Sequence, residues 1–458
     1  MPALRIGLLF DHDFDAAAHH RLEAGASAAL WRFERAGFDV FAFPQQLRLI
    51  GFDLERFAAA AARRARRRGW AGVVSHQEHF GALAAALVAE AAGLPGTSPE
   101  SVLACQDKLY ARRVLARVAP ESSTAFAALA WDGETWFGDP LAPPFFAKPR
   151  KGAFSVLARR VHDAADLRAL QAAGRAERWL ARLLVDPFDR VLRRRLPQAQ
   201  SAHGLIVEAI LHGPQYNLDG YVWKGEAHAL GVVDALMYPG TLAFQRWQFP
   251  SALPAPAAQR ALALAARFFA EIGFTQGFFS MEFVLDSATG RIGVIEFNPR
   301  LSSQFGDLYR RVLGLDPHAM ALAMSVGEDP RRAPRIEPVA RVAASLVWRA
   351  FRADAAPPPP SRARRARFAA QMPDALLFSF PRSRRAIERE LRWVGSHRYG
   401  TVHLGAADPG ELRARSGRAA HLLGWPDAPY SEAAVDALAA TPTGLVPALL
   451  VRADAASP

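Results

Sequence analysis

The 458-residue chain contains a single cysteine, Cys105, and no apolar run that could cross a bilayer. One thiol excludes a disulfide framework and a zinc site built on cysteines. The first apolar run, residues 4–10, is too short for a signal peptide and predicts a strand that ends before Asp11. We therefore expect a cytoplasmic protein without a membrane partner.

Lysine is also scarce, because only four of the 56 basic residues are lysine. The net charge is +12, but the arginines are scattered, and their runs at 63–68, 193–195 and 362–367 fit solvated surfaces. Nucleic acid is therefore an unlikely partner, and a nucleotide would suit the positive charge equally well. A lysine is a compact point charge, whereas an arginine is a wide planar fork. The four lysines therefore indicate positions of interest: Lys108, Lys148, Lys151 and Lys224.

Strands and helices alternate over residues 1–98, which predicts a doubly wound domain around a parallel sheet. No Gly-x-Gly-x-x-Gly follows the first strand, so a dinucleotide fingerprint is absent. The predicted strands cover 4–10, 38–43 and 71–75, and the predicted helices cover 21–36, 54–68 and 81–92.

The pattern changes to α+β over residues 99–335, with a lid subdomain at about 117–205 whose helices break at Asp186-Pro187. Residues 238–250 are aromatic and predict a loop, in which Trp247 serves either core packing or an apolar substrate pocket. A third unit, 336–458, is predicted to be α+β, with strands at 342–348 and 400–404 and a helix at 409–423.

An acidic hairpin is the most informative feature of the sequence. Two alternating apolar runs, 277–285 and 291–300, are joined by the turn Asp286-Ser-Ala-Thr-Gly290. If Leu285 faces Arg291, then Glu282 faces Val294, and Glu296 and Asn298 share its side of the hairpin. Two carboxylates this close repel each other unless a cation lies between them. Oxygen-only ligands suit Mg²⁺ or Mn²⁺, so Glu282, Glu296 and Asn298 are candidate metal ligands.

Four stretches in this order resemble the ATP-grasp superfamily, in particular the branch of biotin carboxylase and L-amino-acid (dipeptide) ligases. They resemble its first ATP lysine, its second lysine with the phosphate loop, its adenine hinge and its metal-binding strands. The stretches are Gly93–Lys108, Phe145–Ser155, Val207–Gly213, and Glu282 with Ile295–Arg300. The resemblance implies an N-terminal Rossmann-like domain, an ATP-grasp domain and a C-terminal domain.

The same resemblance assigns roles to individual residues. It implies that ATP is bound by Lys108, Lys148, Ser155, Glu208, Ile210 and Gln215. It also implies that Arg300 faces the reacting carboxyl phosphate as the catalytic residue, a role that suits a bidentate guanidinium. Gln215 departs from the glutamate that many relatives have there, and the phosphate loop has only one glycine, Gly152.

The function that follows is an ATP- and Mg²⁺-dependent ligase that joins a small carboxylate to an amine through an acyl phosphate. One alternative is carboxylation with bicarbonate, as in biotin carboxylase, although the chain has no Ala-Met-Lys-Met biotin site of its own. Another is a nucleotide-binding protein without ligase chemistry. A homodimer is compatible with the chain.

Two further groups are weighed as metal clusters, Asp11-His12-Asp13 and His76-Gln-Glu-His79. Neither has a complete ligand spacing, so polar loops beside the interdomain cleft are the preferred interpretation. One alternative is that His76 or Glu78 contacts the substrate. Another is that Asp219 or Asp234 does so.

Overall fold

The computed structural model describes residues 3–430 except 12, 26–28, 41–44, 132–134, 138, 153–157, 172–174 and 427–428. Within these ranges the chain forms one parallel and two antiparallel sheets.

The N-terminal unit is a three-stranded parallel sheet in the order β2-β1-β3. Its elements are β1 (Leu4–Leu9), α1 (Asp13–Ala24), β2 (Trp31–Ala36), α2 (Leu54–Arg68), β3 (Trp70–Val74) and α3 (Gly81–Ala92). β1 is the central strand and is almost wholly buried, as its apolar run predicts. Asp53 caps α2 and Gly69 ends it in the left-handed conformation, and the predicted helix over 54–68 is confirmed.

The predicted helix over 21–36 is wrong, and so is the predicted second strand over 38–43. The helix is α1, and residues 31–36 form β2. Trp31 and Phe33 pack against the core while charged residues alternate with them, which is the two-residue period of an edge strand. Residues 38–40 are not a strand, and 41–44 lie outside the described ranges.

The second unit is built on a five-stranded sheet in the order β5-β4-β8-β6-β7. Its elements, with the two helices that lead into it, are α4 (Pro99–Gln106), α5 (Lys108–Val118), β4 (Phe126–Leu129), β5 (Trp136–Phe137), β6 (Phe145–Pro149), β7 (Arg159–Val161), α6 (Ala164–Gln171), α7 (Arg175–Arg195) and β8 (Leu205–Ala209).

The predicted break at Asp186-Pro187 is also wrong, because α7 runs through Pro187. A proline removes one hydrogen bond from a helix interior. Here Phe188, Val191 and Leu192 are fully buried in the same core as α3 and α4, and this packing holds the helix on both sides of Pro187.

An eight-stranded sheet in the order β13-β12-β9-β10-β11-β14-β16-β15 contains the remaining strands of the described residues. Its elements are β9 (Gln215–Trp223), β10 (Glu226–Met237), β11 (Phe244–Phe249), α8 (Ala255–Glu271), β12 (Gln276–Leu285), β13 (Ile292–Asn298), α9 (Ser303–Leu313), α10 (Pro317–Ser325), β14 (Val342–Ala350), α11 (Arg362–Gln371), β15 (Leu376–Ser379), α12 (Arg384–Val394), β16 (His397–Ala406) and α13 (Pro409–Leu423).

Strands from both sides of the predicted 335/336 boundary pair within this sheet, since β11 hydrogen-bonds β14. The predicted strands at 342–348 and 400–404 and the helix at 409–423 are confirmed as β14, β16 and α13. The division into units of 1–98, 99–335 and 336–458 stays a proposal.

Residues 238–250 are not a loop throughout, because β11 lies inside this stretch. Trp247 is buried against Phe244 and Phe305 in the core under α9. Core packing therefore accounts for this tryptophan.

The two faces of the eight-stranded sheet differ near β12 and β13, because one packs in an apolar core and the other carries polar side chains. Phe297 stacks on Phe268 of α8, with ring centroids 3.6 Å apart, in a core that also holds Phe279 and Phe283. Because side chains alternate along a strand, burying Phe297 sends Glu296 and Asn298 to the opposite face. This packing fixes which residues can meet in the candidate site.

Candidate active site

The acidic hairpin brings its two glutamates directly opposite each other. Glu282 pairs with Glu296, and Ser280 pairs with Asn298. The predicted register, in which Glu282 faced Val294, is therefore wrong by two residues on β13. One residue of this shift arises at the turn, where Leu285 pairs with Ile292 and not with Arg291. The other arises from a bulge, since Phe283 pairs with Val294 and Ile295 is left as the extra residue. The shared face of the two glutamates and Asn298 survives this shift.

The carboxylate pair carries an electrostatic cost that a cation would remove. Burial, together with the charges of Glu296 and Glu78, raises the pKa of Glu282 to about 8. Burial also acts to raise the pKa of Glu296, but Lys108 and Lys148 overcome it and hold that pKa below its usual value. Asn298 Nδ2 lies 3.4 Å from an oxygen of each carboxylate. The three side chains thus converge on one point.

The bulge at Ile295 also creates a hydrogen-bond acceptor for two cations. Its carbonyl oxygen accepts from Lys148 Nζ at 3.1 Å and from Arg112 Nη2 at 3.2 Å. Both cations also bind Glu208, with Lys148 Nζ 2.8 Å from Oε2 and Arg112 Nε 2.7 Å from Oε1. Although burial works against ionisation of Glu208, the two cations hold its pKa below the usual value. Glu208 therefore fixes Lys148 in place.

Lys108 joins the lid side to the acidic hairpin. Its Nζ lies 3.1 Å from Glu296 Oε2 and donates to the carbonyl oxygen of Gly152 at 3.0 Å. Burial acts to lower the pKa of Lys108, but Glu296 and Glu78 raise it overall. This lysine is therefore a fully charged group between the carboxylates and the start of the predicted phosphate loop.

A buried ion pair holds the two lysine-bearing segments together. Asp107 caps α5, and its Oδ2 accepts from Arg150 Nη2 at 2.8 Å. The carbonyl oxygen of Arg150 in turn accepts from the backbone N–H of Lys108 at 3.1 Å. Since Lys108 follows Asp107 and Lys148 precedes Arg150, this pair fixes the separation of the two lysines.

Lys151, to which the sequence alone assigned no role, is buried beside these groups. Its Nζ lies 4.4 Å from the ring centroid of Phe188 and 3.5 Å from the carbonyl oxygen of Glu78. Burial, opposed by Glu78 and assisted by Lys108, lowers the pKa of Lys151 to about 7. Lys224, by contrast, occupies the β9–β10 turn with a positive φ, as expected of a turn residue.

Arg300 is bound at the junction with the N-terminal unit. Its Nη2 lies 2.5 Å from Glu78 Oε2, and its Nη1 donates to Ser302 Oγ at 3.0 Å. Burial acts to lower the pKa of Arg300, but Glu78 raises it overall. Asp219 is fully buried nearby, where burial, opposed in part by Arg300, raises its pKa to about 7.

Of the remaining predicted nucleotide contacts, Gln215 touches this cluster. Gln215 Nε2 donates to Glu282 Oε2 at 3.0 Å, so this amide holds a candidate metal ligand. Ile210 follows β8 in the segment leading to β9, where a hinge was expected. Ser155 lies outside the described residues.

A cavity of about 110 Å³ lies between the N-terminal unit and the large sheet. His76 and Thr97 line it from the N-terminal side, and Gln276, Arg300 and Met324 line it from the other. Arg300 therefore borders both the acidic hairpin and this small cavity.

Comparison with known proteins identifies this architecture. No known family and no curated protein matches the sequence. Among solved structures, L-amino acid ligase from Bacillus licheniformis superposes with a TM-score of 0.64 at 16% identity, over 92% of this chain and 97% of that one. N5-carboxyaminoimidazole ribonucleotide synthetase from Thermus thermophilus gives 0.58 at 16% identity, over 93% and 100%.

A third solved structure is the biotin carboxylase domain dimer of 2-oxoglutarate carboxylase from Hydrogenobacter thermophilus, in complex with MgADP, ADP and bicarbonate. It gives a TM-score of 0.59 at 13% identity, over 92% of this chain and 90% of that one. The chain has the ATP-grasp fold.

The expected architecture, an N-terminal parallel-sheet domain followed by an ATP-grasp fold and further α+β structure, is confirmed. At these identities the superpositions establish the fold and no single reaction. Across the described part of the chain, every helix is too short or too polar to cross a membrane.

Two residues of the candidate active site make contacts that were not predicted from the sequence. Arg112 follows Lys108 by four residues on α5, so its helical spacing could have placed it on the same face. Glu78 was considered only for a substrate contact, and nothing local predicts that it binds Arg300, which is 222 residues away.

Proposed function

We propose that this ATP-grasp chain is an ATP- and Mg²⁺-dependent ligase that joins a small carboxylate to an amine. The observation that carries the proposal is that Lys108, Lys148, the acidic hairpin and Arg300 form one connected cluster. Phosphoryl transfer needs this combination of fixed cations and oxygen ligands.

The hairpin residues fit a divalent cation such as Mg²⁺ or Mn²⁺. Glu282, Glu296 and Asn298 offer the oxygen ligands that Mg²⁺ prefers. The raised pKa of Glu282 means that ionising both buried carboxylates is unfavourable, and a bound cation would favour the ionised form. A bound Mg²⁺ would neutralise charge on the phosphate oxygens. Gln215 would hold Glu282 in orientation through its 3.0 Å hydrogen bond.

The lysines would bind the phosphates of ATP, with Glu208 and Arg112 keeping Lys148 in position. Ser155, Ile210 and the backbone of Glu208 are proposed as further nucleotide contacts from the resemblance. Lys151 would gain a full positive charge when an anionic phosphate chain approaches, because a neighbouring negative charge raises a lysine pKa.

The chemistry would proceed in two steps. A carboxylate oxygen of the substrate forms a bond to the γ-phosphorus, and the bond from that phosphorus to ADP breaks. The amine then attacks the acyl carbon, phosphate leaves with its electron pair, and the amine loses a proton. Arg300 is proposed to stabilise the negative charge that develops on the acyl phosphate.

The experiment is a phosphate-release screen with ATP, Mg²⁺ and pooled amino acids and small acids. We expect phosphate release that requires both an acid and an amine, with ADP as the other product. ATP hydrolysis that is indifferent to added acids and amines would contradict the proposal. The Glu296→Gln variant is the matched negative control, because it changes one oxygen to nitrogen without changing size.

Carboxylation with bicarbonate is the second candidate, because two of the three superposed structures are named as carboxylating or carboxyamino-forming enzymes. Phosphate release that needs bicarbonate but no other added carboxylic acid would favour carboxylation. Nucleotide binding without any turnover would favour a regulatory protein. A homodimer is a further proposal, consistent with the dimer named for one of these structures.

A further inference from the structure

A second cluster of potential metal ligands lies outside the ATP-grasp cleft. It consists of Asp15 on α1, His76 after β3 and His318 on α10. One donor atom from each residue lies within 4.8 Å of the donor atoms of the other two. Three segments that are remote in the sequence therefore meet through groups that bind metals.

The sequence-level candidates were near this cluster but grouped the wrong residues. His79 Nε2 lies 2.8 Å from the carbonyl oxygen of Leu184, so its ring is bound to α7. Asp11 binds His19 Nδ1 at 2.8 Å and Arg35 at 3.0 Å. The histidine that completes the cluster, His318, is 242 positions beyond His76 and could not be found by local spacing.

The separation of two of the ligands matches a metal site. Asp15 Oδ1 lies 3.1 Å from His318 Nε2. Two ligands about 2.0–2.1 Å from one tetrahedral Zn²⁺ stand roughly 3.3 Å apart, so this pair needs almost no adjustment. His76 packs edge-on against His318 with ring centroids 5.5 Å apart. Its donor nitrogen lies within 4.8 Å of the other two donor atoms, so it must move towards them to complete a metal site.

The unpartnered ring nitrogen of His76 supports a ligand at this cluster independently of the distances. Its Nε2 is buried, yet in the described part of the chain it has no hydrogen-bond partner. A buried polar nitrogen without a partner costs about 1–3 kcal/mol, so such an atom calls for an explanation.

The protonation states suit metal binding as well. Burial, opposed by Asp15, lowers the pKa of His76 to about 3, so its imidazole is neutral at physiological pH. Although burial acts to raise the pKa of Asp15, its hydrogen bond to His318 and the nearby histidines lower it, so Asp15 is ionised. A metal ligand must be a neutral imidazole or a deprotonated carboxylate.

We propose that Asp15, His76 and His318 form a binding site for a divalent transition-metal cation such as Zn²⁺. Two imidazoles and one carboxylate select such a cation over Mg²⁺ and Ca²⁺, which prefer oxygen ligands alone. His19 packs against His318 with ring centroids 5.7 Å apart and closes one side of the site.

The bound cation would join the N-terminal unit to α10. His76 lies two residues before Glu78, which holds Arg300. Occupancy would therefore fix the loop that carries Glu78 against the large sheet. This site does not depend on the proposed ligase function, because none of its three ligands belongs to the nucleotide cleft.

The test must separate this site from the acidic hairpin, which can also bind divalent cations. We would use the Glu282→Gln/Glu296→Gln double variant, strip it with a chelator and titrate it with Zn²⁺ by calorimetry. The expected result is one Zn²⁺ per chain and a higher Tm. Adding His76→Gln should weaken binding by at least about 10-fold, since even changes around a ligand shell cost that much.

Co²⁺ supplies a spectroscopic readout of nitrogen ligation. Co²⁺ should give a visible absorption in the double variant that is lost with His76→Gln and kept with His20→Gln, because His20 is an exposed imidazole on the same helix as Asp15. Asp15→Asn provides a second ligand variant if a histidine change prevents folding. Zn²⁺ binding that is absent in the double variant, or unchanged by both ligand variants, would overturn the proposal.

Discussion

Lys108 Nζ lies 3.1 Å from Glu296 Oε2, so a lysine that precedes the lid touches a candidate metal ligand on β13. The contact joins the two parts of the proposed ATP site. It implies that nucleotide and metal binding must redistribute an existing set of charges.

Changing Glu296 to glutamine should remove Mg²⁺-dependent turnover. Loss of a single group that stabilises transition-state charge typically lowers kcat by about 100- to 1,000-fold, and we expect a loss of at least this size. Steady-state kinetics over a range of Mg²⁺ concentrations would measure it. Glu226→Gln, at an exposed position on β10, is the matched control and should be silent. Full activity of Glu296→Gln would rule out its assignment as a ligand.

The lysines should not tolerate arginine. Lys148 is buried between Glu208 and the Ile295 carbonyl, and a wider guanidinium overfills this space. Overpacking destabilises the fold by about 1–3 kcal/mol. Because it also misplaces the cation, we expect kcat/KM of Lys148→Arg to fall by up to about 100-fold. Lys224→Arg, in the β9–β10 turn, should behave like the wild type. Equal activity of both variants would contradict a specific role for Lys148.

Arg300 should be more sensitive to substitution than Glu78. Arg300→Lys keeps the charge but loses the fork that holds Glu78 and Ser302. We expect kcat to fall by about 100-fold, comparable to the loss of one oxyanion donor. Glu78→Gln should reduce kcat less, because it acts on Arg300 and not on the substrate. The surface variant Arg267→Lys is the control. A larger loss of kcat in Glu78→Gln than in Arg300→Lys would contradict the assignment of Arg300 as the residue that contacts the substrate.

The free energy of unfolding should fall as the pH drops below 6.5. Burial lowers the pKa of His403 to about 4, and its ring lies between Phe14 and Phe378. The unfolded chain, with a histidine pKa near 6.5, then binds more protons than the folded chain between pH 6.5 and 4. This group alone accounts for a loss on the order of 3 kcal/mol across that window. Urea unfolding at several pH values would measure it.

His403→Gln should reduce this pH dependence even if it lowers stability overall, while His76, with a pKa of about 3, continues to contribute to it. His20→Gln is a control at an exposed position on α1. An unchanged slope in His403→Gln would show that other groups govern acid unfolding.

Much of this structure follows from local sequence signals. The predicted face shared by Glu282, Glu296 and Asn298 is correct because the register at Glu282 is shifted by two residues, and an even shift leaves side chains on the same face. The register itself was not predictable, since no local signal marks Ile295 as the extra residue of a bulge. β2 was mistaken for a helix because its charged residues resemble a solvated helix face.

Contacts between distant segments could not be predicted. Glu78 binds Arg300, and His318 meets Asp15 and His76, only after the N-terminal unit packs on the large sheet. Each partner is ordinary within its own segment. Such pairs depend on tertiary packing, which no local pattern encodes.

The most direct test of the central claim is to trap the acyl phosphate with hydroxylamine. The protein would be incubated with ATP, Mg²⁺, hydroxylamine and the carboxylates selected by the phosphate-release screen. The ligase account predicts a hydroxamate of one carboxylate, formed in equal amount with ADP and abolished by Glu296→Gln. Release of ADP and phosphate without any hydroxamate, under conditions where ATP is consumed, would contradict it.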